Sequence, residues 1–232
     1  MGLKGAAFLA IWHDIAEGWH EEYIEWHTRE HMPERLSVSG FRTGKRLHAP
    51  KAARHVFGTI YAGDDVEVFR SPAYLERLNN PTPWTEVVAP KFQNFFRIAC
   101  ERVASAGNGD GGSIATIRFD FTGARAAARL MSRAHTLAEA ILALRGACGV
   151  HVGIARCDVS GIATRETELR GEMSEKGSDV VILIEGSSLA GLNGLIDDAE
   201  RLAVETGLLI EPAGSAYETA YSLTADDMRS VA

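Results

Sequence analysis

Two kinds of apolar patterning alternate along the chain: short runs with strand periodicity, and longer stretches in which apolar residues recur every three to four positions. AAFLAIW (6–12) predicts a strand, and Glu17 to about Leu36 an amphipathic helix. FRTGKRLH (41–48) and HVFGTIYA (55–62) predict two strands. Asp65 to Leu78 reads as a helix broken by Pro81-Thr82-Pro83, and FQNFFRIACERV (92–103) as a long strand. The order then recurs: strand SIATIRFDF (113–121), helix Ala124 to Leu144, strands VHVGIARCDV (150–159) and DVVILIEG (179–186), helix Leu189 to Thr206, strand SAYETAYSL (215–223).

Each half is therefore β-α-β-β-α-β, the ferredoxin-like unit of a four-stranded antiparallel sheet with both helices on one face. Gly40-Phe-Arg-Thr-Gly44 and Gly149-Val-His-Val-Gly153 repeat a G-x-x-x-G at the turn from helix into second strand, and TIYAG (59–63) echoes ILIEG (182–186). The Gly-rich stretch Ser105 to Ser113 has linker composition. These features set the expected organisation: a first repeat at 1–104, a linker at 105–112, a second repeat at 113–232. The strands are apolar at both parities, so both sheet faces expect cover. The expected fold is α+β, two tandem ferredoxin-like repeats forming an α+β barrel with antiparallel sheets and the helices outside.

Chemistry concentrates on the first helix. At roughly 100° per residue, His20, Tyr23, Ile24, His27, His31 and Glu34 share one arc, while Glu21, Glu22, Glu25 and Arg29 face the other way. Imidazoles on the stripe that ordinarily carries Leu and Val cost about 1–3 kcal/mol each if unpartnered. They point to a polar cavity, a hydrogen-bond network or a ligand. His27 or His31 is the candidate general base, with His20, Tyr23 and Glu34 as tuning or relay groups. Trp12, Trp26, Trp84 and Phe95 are candidate walls for a ring-shaped substrate, and Arg46 and Arg97 candidate partners for a carboxylate or enolate oxygen. His135 and His151 are read as structural, and Arg35 as a cation at the helix C-terminus. The polar segment Gly161 to Ser178 reads as a long loop, with a lid or binding loop and a disordered segment as equal alternatives.

His27, Glu30 and His31 also spell H-x-x-E-H, a zinc motif of inverted metalloproteases. Pro33 follows within two residues, so the helix is expected to kink or end where the metal would sit. No metal and no cofactor is assigned; no G-x-G-x-x-G or Walker pattern supports a nucleotide.

The runs IWHD (11–14), EWHTREHMPERL (25–36) and GFRTGKR (40–46), with SPAYLERL (71–78) and PTPW (81–84), resemble bacterial members of the dimeric α+β barrel superfamily in its EthD-like region. The resemblance covers most of residues 6–103. The second half lacks the E-H-x-P-E-R segment, which implies one functional pocket per chain with the second repeat standing in for a partner subunit. The superfamily includes cofactor-free monooxygenases, muconolactone isomerases, polyketide cyclases and haem-handling enzymes, and its ligand cavity commonly lies between helices and sheet. Fold alone does not fix the reaction.

Composition narrows the classes. A net charge of −7 over 232 residues, with no Lys/Arg-rich block, argues against nucleic acid. No apolar run approaches the ~20 residues of a membrane helix. The N-terminal stretch reads as a first strand rather than a leader, so a cytoplasmic protein is expected. Cys100, Cys148 and Cys157 lack C-x-x-C spacing and are expected as reduced, mostly buried thiols. The resulting expectation is a cofactor-independent enzyme acting on a cyclic or aromatic small molecule by histidine acid/base chemistry: an isomerase, cyclase, lyase or cofactor-free monooxygenase-like protein. A homodimer is left open. The alternatives are a non-catalytic ligand-binding or oligomeric scaffold, and a haem- or metal-binding protein.

Overall fold

The computed structural model describes residues 3–123, 125–171, 177–210 and 214–229. The chain forms two compact units, each drawn from separated stretches of sequence: one from residues 5–99, 156–177 and 220–232, the other from 1–4, 100–155 and 178–219.

In the first unit, strands β1 (Ala7–Ile15), β2 (Phe41–His48), β3 (Phe57–Gly63) and the start of β4 (Phe92–Gly107) lie in the order β4-β1-β3-β2. Both β1 and β2 pair antiparallel with β3. Successive strand residues face opposite sides. Ala7, Leu9 and Ile11 of β1 and Tyr61 of β3 therefore pack with Met32, Leu36, Phe69, Tyr74 and Leu78 from the helical segments. Trp12 and Phe96 stack, centroids 5.6 Å apart, on the opposite sheet face.

The first helix has three parts: α1 (His20–Trp26), a wide π turn (His27–His31) and α2 (Met32–Leu36). Pro33 is the physical reason. It lacks an N–H and its ring collides with a carbonyl one turn back in regular α geometry. Widening the preceding turn, with the Met32 amide bonded to the His27 carbonyl, lets the helix continue to Leu36 instead of ending. The Ile24 carbonyl accepts from the Thr28 hydroxyl at 2.7 Å and from Arg46 Nη1 at 3.2 Å.

Several elements differ from expectation. The helix expected over 65–78 is a 3-10 turn (Val66–Arg70) capped by Asp65, followed by α3 (Pro72–Asn79) capped by Ser71. The Pro81-Thr82-Pro83 break starts a further helix, α4 (Pro83–Val88), with Thr82 as its cap. The strand at 150–159 ends at Ala155, and Cys157–Ser160 forms the short helix α6. Within the expected loop at 161–178 lies α7 (Arg165–Arg170), started by a Thr164/Thr167 capping box. Residues 172–176 of that stretch lie outside the described residues.

In the other unit, β6 (Ala147–Ala155), β7 (Val180–Gly186) and β5 (Ser113–Phe121) pair antiparallel in that order. β5 also pairs with β9 (Ser215–Thr224) and with a strand absent from the sequence reading, β8 (Leu208–Ile210). Helices α5 (Ala126–Leu142), α8 (Leu189–Asn193) and α9 (Ile196–Glu205) supply Leu130, Leu137, Ile141, Leu192 and Ala199 to its core. β4 runs past Val103 to Gly107 because Ser105 and Ala106 pair with His151 and Val150, and ladder pairing outweighs their linker-like composition. The Cys100 thiol is buried, but Cys148 is only partly covered and Cys157 is exposed, contrary to the expectation of mostly buried thiols.

Two glycines set the approach of helix to sheet. A Cβ on Gly44 would meet Met32 Sδ, Tyr61 Cε1 and Leu36 Cδ2 at 3.0–3.1 Å, so α2 lies directly on β2 only because that side chain is missing. Gly40 has φ +95°, and its Cβ would sit 2.5 Å from Val68 Cγ2. Strain at such a position costs on the order of 1–3 kcal/mol. Gly40→Ala is therefore expected to lower unfolding stability by that amount in a urea titration, whereas Ala at exposed Gly18, whose Cβ meets nothing within 4 Å, loses only its own positive-φ cost.

Candidate functional site

Ile11 and His13 of β1, Thr59 and Tyr61 of β3, Phe92 and Phe95 of β4, and His27 and His31 of the π turn surround a cavity of about 20 Å³, closed on its remaining side by Arg170 of α7. That volume suits about one water. Pairs two apart on a strand share a face, so β1 and β3 each contribute two side chains beneath the π turn. A second, larger pocket of about 390 Å³ shares Phe95 and Arg170 with it and is otherwise lined by Arg97 and the 160–171 segment.

The inner groups form a run of polar contacts. His13 Nδ1 lies 3.3 Å from the Asp14 carbonyl, which can only accept, so that nitrogen carries the proton and Nε2 carries the lone pair. Tyr23 donates its hydroxyl to His13 Nε2 at 3.1 Å. The Thr59 hydroxyl lies 3.4 Å from His27 Nε2, a long contact whose direction follows the His27 tautomer. Among the described residues, His27 Nδ1, His31 Nδ1 and the Tyr61 hydroxyl have no hydrogen-bond partner, all three being buried residues that line the cavity.

Burial holds His27 and His31 well below the usual imidazole pKa, and the guanidinium charges of Arg46 and Arg35 act in the same direction. Burial also lowers His13, to about 3, although the Asp14 carbonyl and carboxylate pull upward. Tyr23 and Tyr61 are pushed up by burial. All five groups are thus neutral at pH 7.

Beside this cluster lies a buried ion network. Glu166 of α7 receives Arg35 on Oε1 and Arg170 on Oε2, the latter at 3.3 Å, and Arg35 also reaches Glu34 at 3.1 Å. Arg35 and Glu166 side chains are each 2% exposed. Burial lowers Arg170 to about 10 against the pull of Glu166, with Arg97 adding repulsion, while for Arg35 burial is outweighed by Glu166, Tyr74, Glu34 and Tyr61 acting together, which raise it. Burial raises Glu34, opposed by Arg35. Arg170 also lies over the Phe95 ring, 4.3 Å from its centroid.

Of the residues singled out in sequence, Tyr23, His27 and His31 meet at the cavity, Phe95 bridges both pockets and Arg97 lines the outer one. Trp26 lies tilted against His31, ring centroids 4.2 Å apart, and is fixed by Nε1 donating to Thr85. Others lie elsewhere. His20 is exposed, with Nε2 donating to the Ile15 carbonyl at 3.1 Å. Glu34 turns to Arg35. Trp84 donates to Glu22 on the outer side of α1, and Trp12 occupies the other sheet face. Arg46 binds the Ile24 carbonyl and Thr28, and lines neither pocket. Arg35 is no surface cap but one of the most deeply buried side chains. His13, Thr59, Tyr61, Glu166 and Arg170 were not among the selected residues; the first three show a signal in sequence, being polar residues two apart from another member on a strand.

Glu30, the would-be metalloprotease glutamate, turns away to accept from Thr82. Among the described residues, no three His, Cys, Asp or Glu side chains are placed to hold a metal ion. Haem does not fit these two pockets: its iron takes an axial ligand such as imidazole next to the macrocycle, yet the imidazoles here face a water-sized cavity and none is among the residues lining the pocket of about 390 Å³. No described helix is long and apolar enough to cross a membrane.

Neutral buried imidazoles couple stability to pH. Between each depressed native pKa and about 6.5, the unfolded chain binds protons that the native chain refuses, so stability is complete above that window and falls as pH drops through it, by up to about 1.4 kcal/mol per pH unit for each histidine. The melting temperature is expected to fall steeply from pH 7.5 to about 5. Replacing His13, His27 and His31 together by Asn or Gln should flatten that profile, measured by calorimetry across the pH series.

No family model matches the chain, and no curated protein matches it in sequence. Solved structures do match. An anthrone oxidase-like protein superposes with a TM-score of 0.63 at 10% identity, over 97% of this chain and 96% of that one. A mutant chlorite dismutase from Candidatus Nitrospira defluvii gives 0.57 at 6% identity over 98% and 95%. A protein named only provisionally as a monooxygenase, from Fusobacterium nucleatum subsp. nucleatum, gives 0.53 at 10% identity over 96% and 98%. At these identities the likeness shows the fold alone, and that fold is the antiparallel α+β class of ferredoxin-like barrels.

Proposed function

We propose that the chain is an EthD-like small-molecule enzyme that moves a proton at carbon on a cyclic or aromatic substrate, with His27 Nδ1 as the base. The run of polar groups from His27 past Thr59 and Tyr23 to His13 carries this reading, with His27 in the Nε2–H tautomer. That tautomer leaves the Nδ1 lone pair without a partner among the described residues, beside a cavity for one water and next to a ligand-sized pocket.

The substrate occupies the outer pocket, and a single water in the inner cavity carries its proton to His27. An imidazolium on His27 is disfavoured by burial and by Arg46 and Arg35. As Nδ1 gains a proton, Nε2 passes one to Thr59, Thr59 to Tyr23, and Tyr23 to His13 Nε2. The positive charge then rests on His13, where burial still opposes it but the Asp14 carbonyl and carboxylate offset part of that cost. Return of the proton to another carbon completes an isomerisation; attack of the carbanion on a carbonyl carbon of the same substrate, with the proton returned to the resulting alkoxide, completes a cyclisation. With dioxygen as co-reactant, the same deprotonation opens a cofactor-independent oxygenation, which the names of the anthrone oxidase-like and monooxygenase neighbours favour. His31 and Tyr61 hold the relaying water. His20, Glu34, Arg46, Trp12 and Trp84 act through the scaffold rather than at the substrate.

Deuterium uptake from D2O into a panel of ring compounds with acidic C–H bonds, followed by proton NMR, tests the reaction. His27→Asn is expected to lower the exchange rate by roughly 10²–10⁴-fold, and Thr59→Val to lower it while the substrate still binds. Nitrogen-15 NMR should find His27 protonated at Nε2 and His13 at Nδ1. Unchanged exchange in His27→Asn, or the opposite His27 tautomer, defeats the assignment.

A further inference from the structure

We propose that the outer pocket is a carboxylate receptor, so that the ligand of this protein is a ring-bearing monocarboxylic acid held by Arg97 and Arg170. The binding claim stands on the pocket itself; only the orientation of the ring toward His27 rests on the function proposed above.

The pocket holds about 390 Å³, within the range of small-ligand sites. Its walls are apolar where Phe95, Ile162 and Ala163 face it, which suits a flat hydrocarbon body. Its hydroxyls are already committed. Ser160 accepts from the Ala99 amide and donates to the Arg156 carbonyl, and Thr167 accepts from the Thr164 amide and donates to the Thr164 carbonyl. What remains for a ligand is guanidinium. Arg97 is 5% exposed and its Nε has no partner; the Arg170 side chain is 9% exposed, and its Nε and Nη2 have none.

The charges do not balance without an anion. Glu166 is shared between Arg35 and Arg170, Glu34 serves Arg35, and Arg97 has no carboxylate partner among the described residues. Glu168, also lining the pocket, is paired with Arg165 at 2.9 Å near the surface. Two buried guanidiniums that line an apolar pocket and carry N–H groups without a partner among the described residues match a planar carboxylate, which accepts two parallel N–H bonds from a single fork. Binding the carboxylate there sets the ring against Phe95, at the boundary with the histidine cavity.

Isothermal titration of the full chain at pH 7.5 with benzoate and 2-naphthoate, against benzamide and 2-naphthamide as neutral isosteres, tests the receptor. The acids are expected to bind at least ~10-fold more tightly than the amides, and Arg97→Met and Arg170→Met each to weaken the acids by roughly 10–100-fold, the span of a charged hydrogen bond. Arg97→Lys keeps the charge without the fork and should fall between. Melting of Arg97→Met without ligand checks folding; removal of an unpartnered buried donor should not lower it. Equal binding of acids and amides, no binding of either acid at about 10 mM, tighter binding of benzenephosphonate with the acids silent, or acid affinity unchanged in Arg97→Met would each overturn the proposal. Titration needs no turnover, so acid binding without deuterium exchange would sink the reaction and keep the receptor, and the reverse result would do the opposite.

Discussion

The Glu166 carboxylate is the constraint on which the rest of the site depends. It is almost wholly buried, it belongs to a short helix in a segment with little apolar content, and it receives guanidiniums from α2 and from its own helix. Removing one partner from such a network typically costs about 3–5 kcal/mol, because the other charge is left buried and unpaired. α7 is thereby tied to α2 by charge rather than by hydrophobic area. Arg170 in turn is held over Phe95, and these two side chains line both the water-sized cavity and the ligand-sized one. Arg35 occupies the end of the helix whose preceding turn carries His27 and His31, so one ion network reaches both the wall shared by the pockets and the histidine turn.

The π turn is the second device, and it follows from sequence through Pro33. A proline inside a helix removes a donor and crowds a carbonyl, and this chain absorbs both by widening the turn just before it. Such π bulges recur at functional sites. Here the widened turn brings His27 and His31 within 5.6 Å, centroid to centroid, over the strand residues Thr59 and Tyr61. Arg46 and Thr28 supply the Ile24 carbonyl with donors. That explains why Arg46, which looks in sequence like an oxyanion ligand, is committed to the backbone.

What was legible in sequence was whatever depended on local period and turn chemistry. The bounds of β2 and β5 coincide with the apolar runs that predicted them, and the arc carrying Tyr23, His27 and His31 does face the sheet. The arc failed at its ends: His20 sits in the first turn, where the helix has barely left the strand, and Glu34 lies beyond the π turn, which shifts every later residue round the axis. α7 was hidden because RETELR has no apolar stripe; it is stabilised by a capping box and by ion pairing to a residue 131 positions away, and neither leaves a periodic trace. His13 was visible but isolated, since on a strand its partners are its opposite numbers on neighbouring elements rather than residues a helical turn away. Cys157 looked buried because the apolar run around it was read as strand, while β6 ends two residues earlier.

The two proposals meet in the direction of the electric field. Arg35 and Arg170 act on His31, and Arg46 and Arg35 on His27, whereas the carboxylate next to His13 is Asp14, brought below its usual pKa by hydrogen bonds from Val56, Asn94 and His55 that outweigh burial. A base placed among guanidiniums is a poor resting place for a proton, yet a good place to create an anion. On the proposed reading the substrate's negative charge grows beside Arg97 and Arg170, while the proton's positive charge leaves along Thr59 and Tyr23 toward Asp14. Both charges move with the field, in a site already dry enough for the field to matter. The depressed histidines are then no obstacle to the chemistry: an imidazole that cannot keep a proton passes it on, and the fold provides the receiver one strand away.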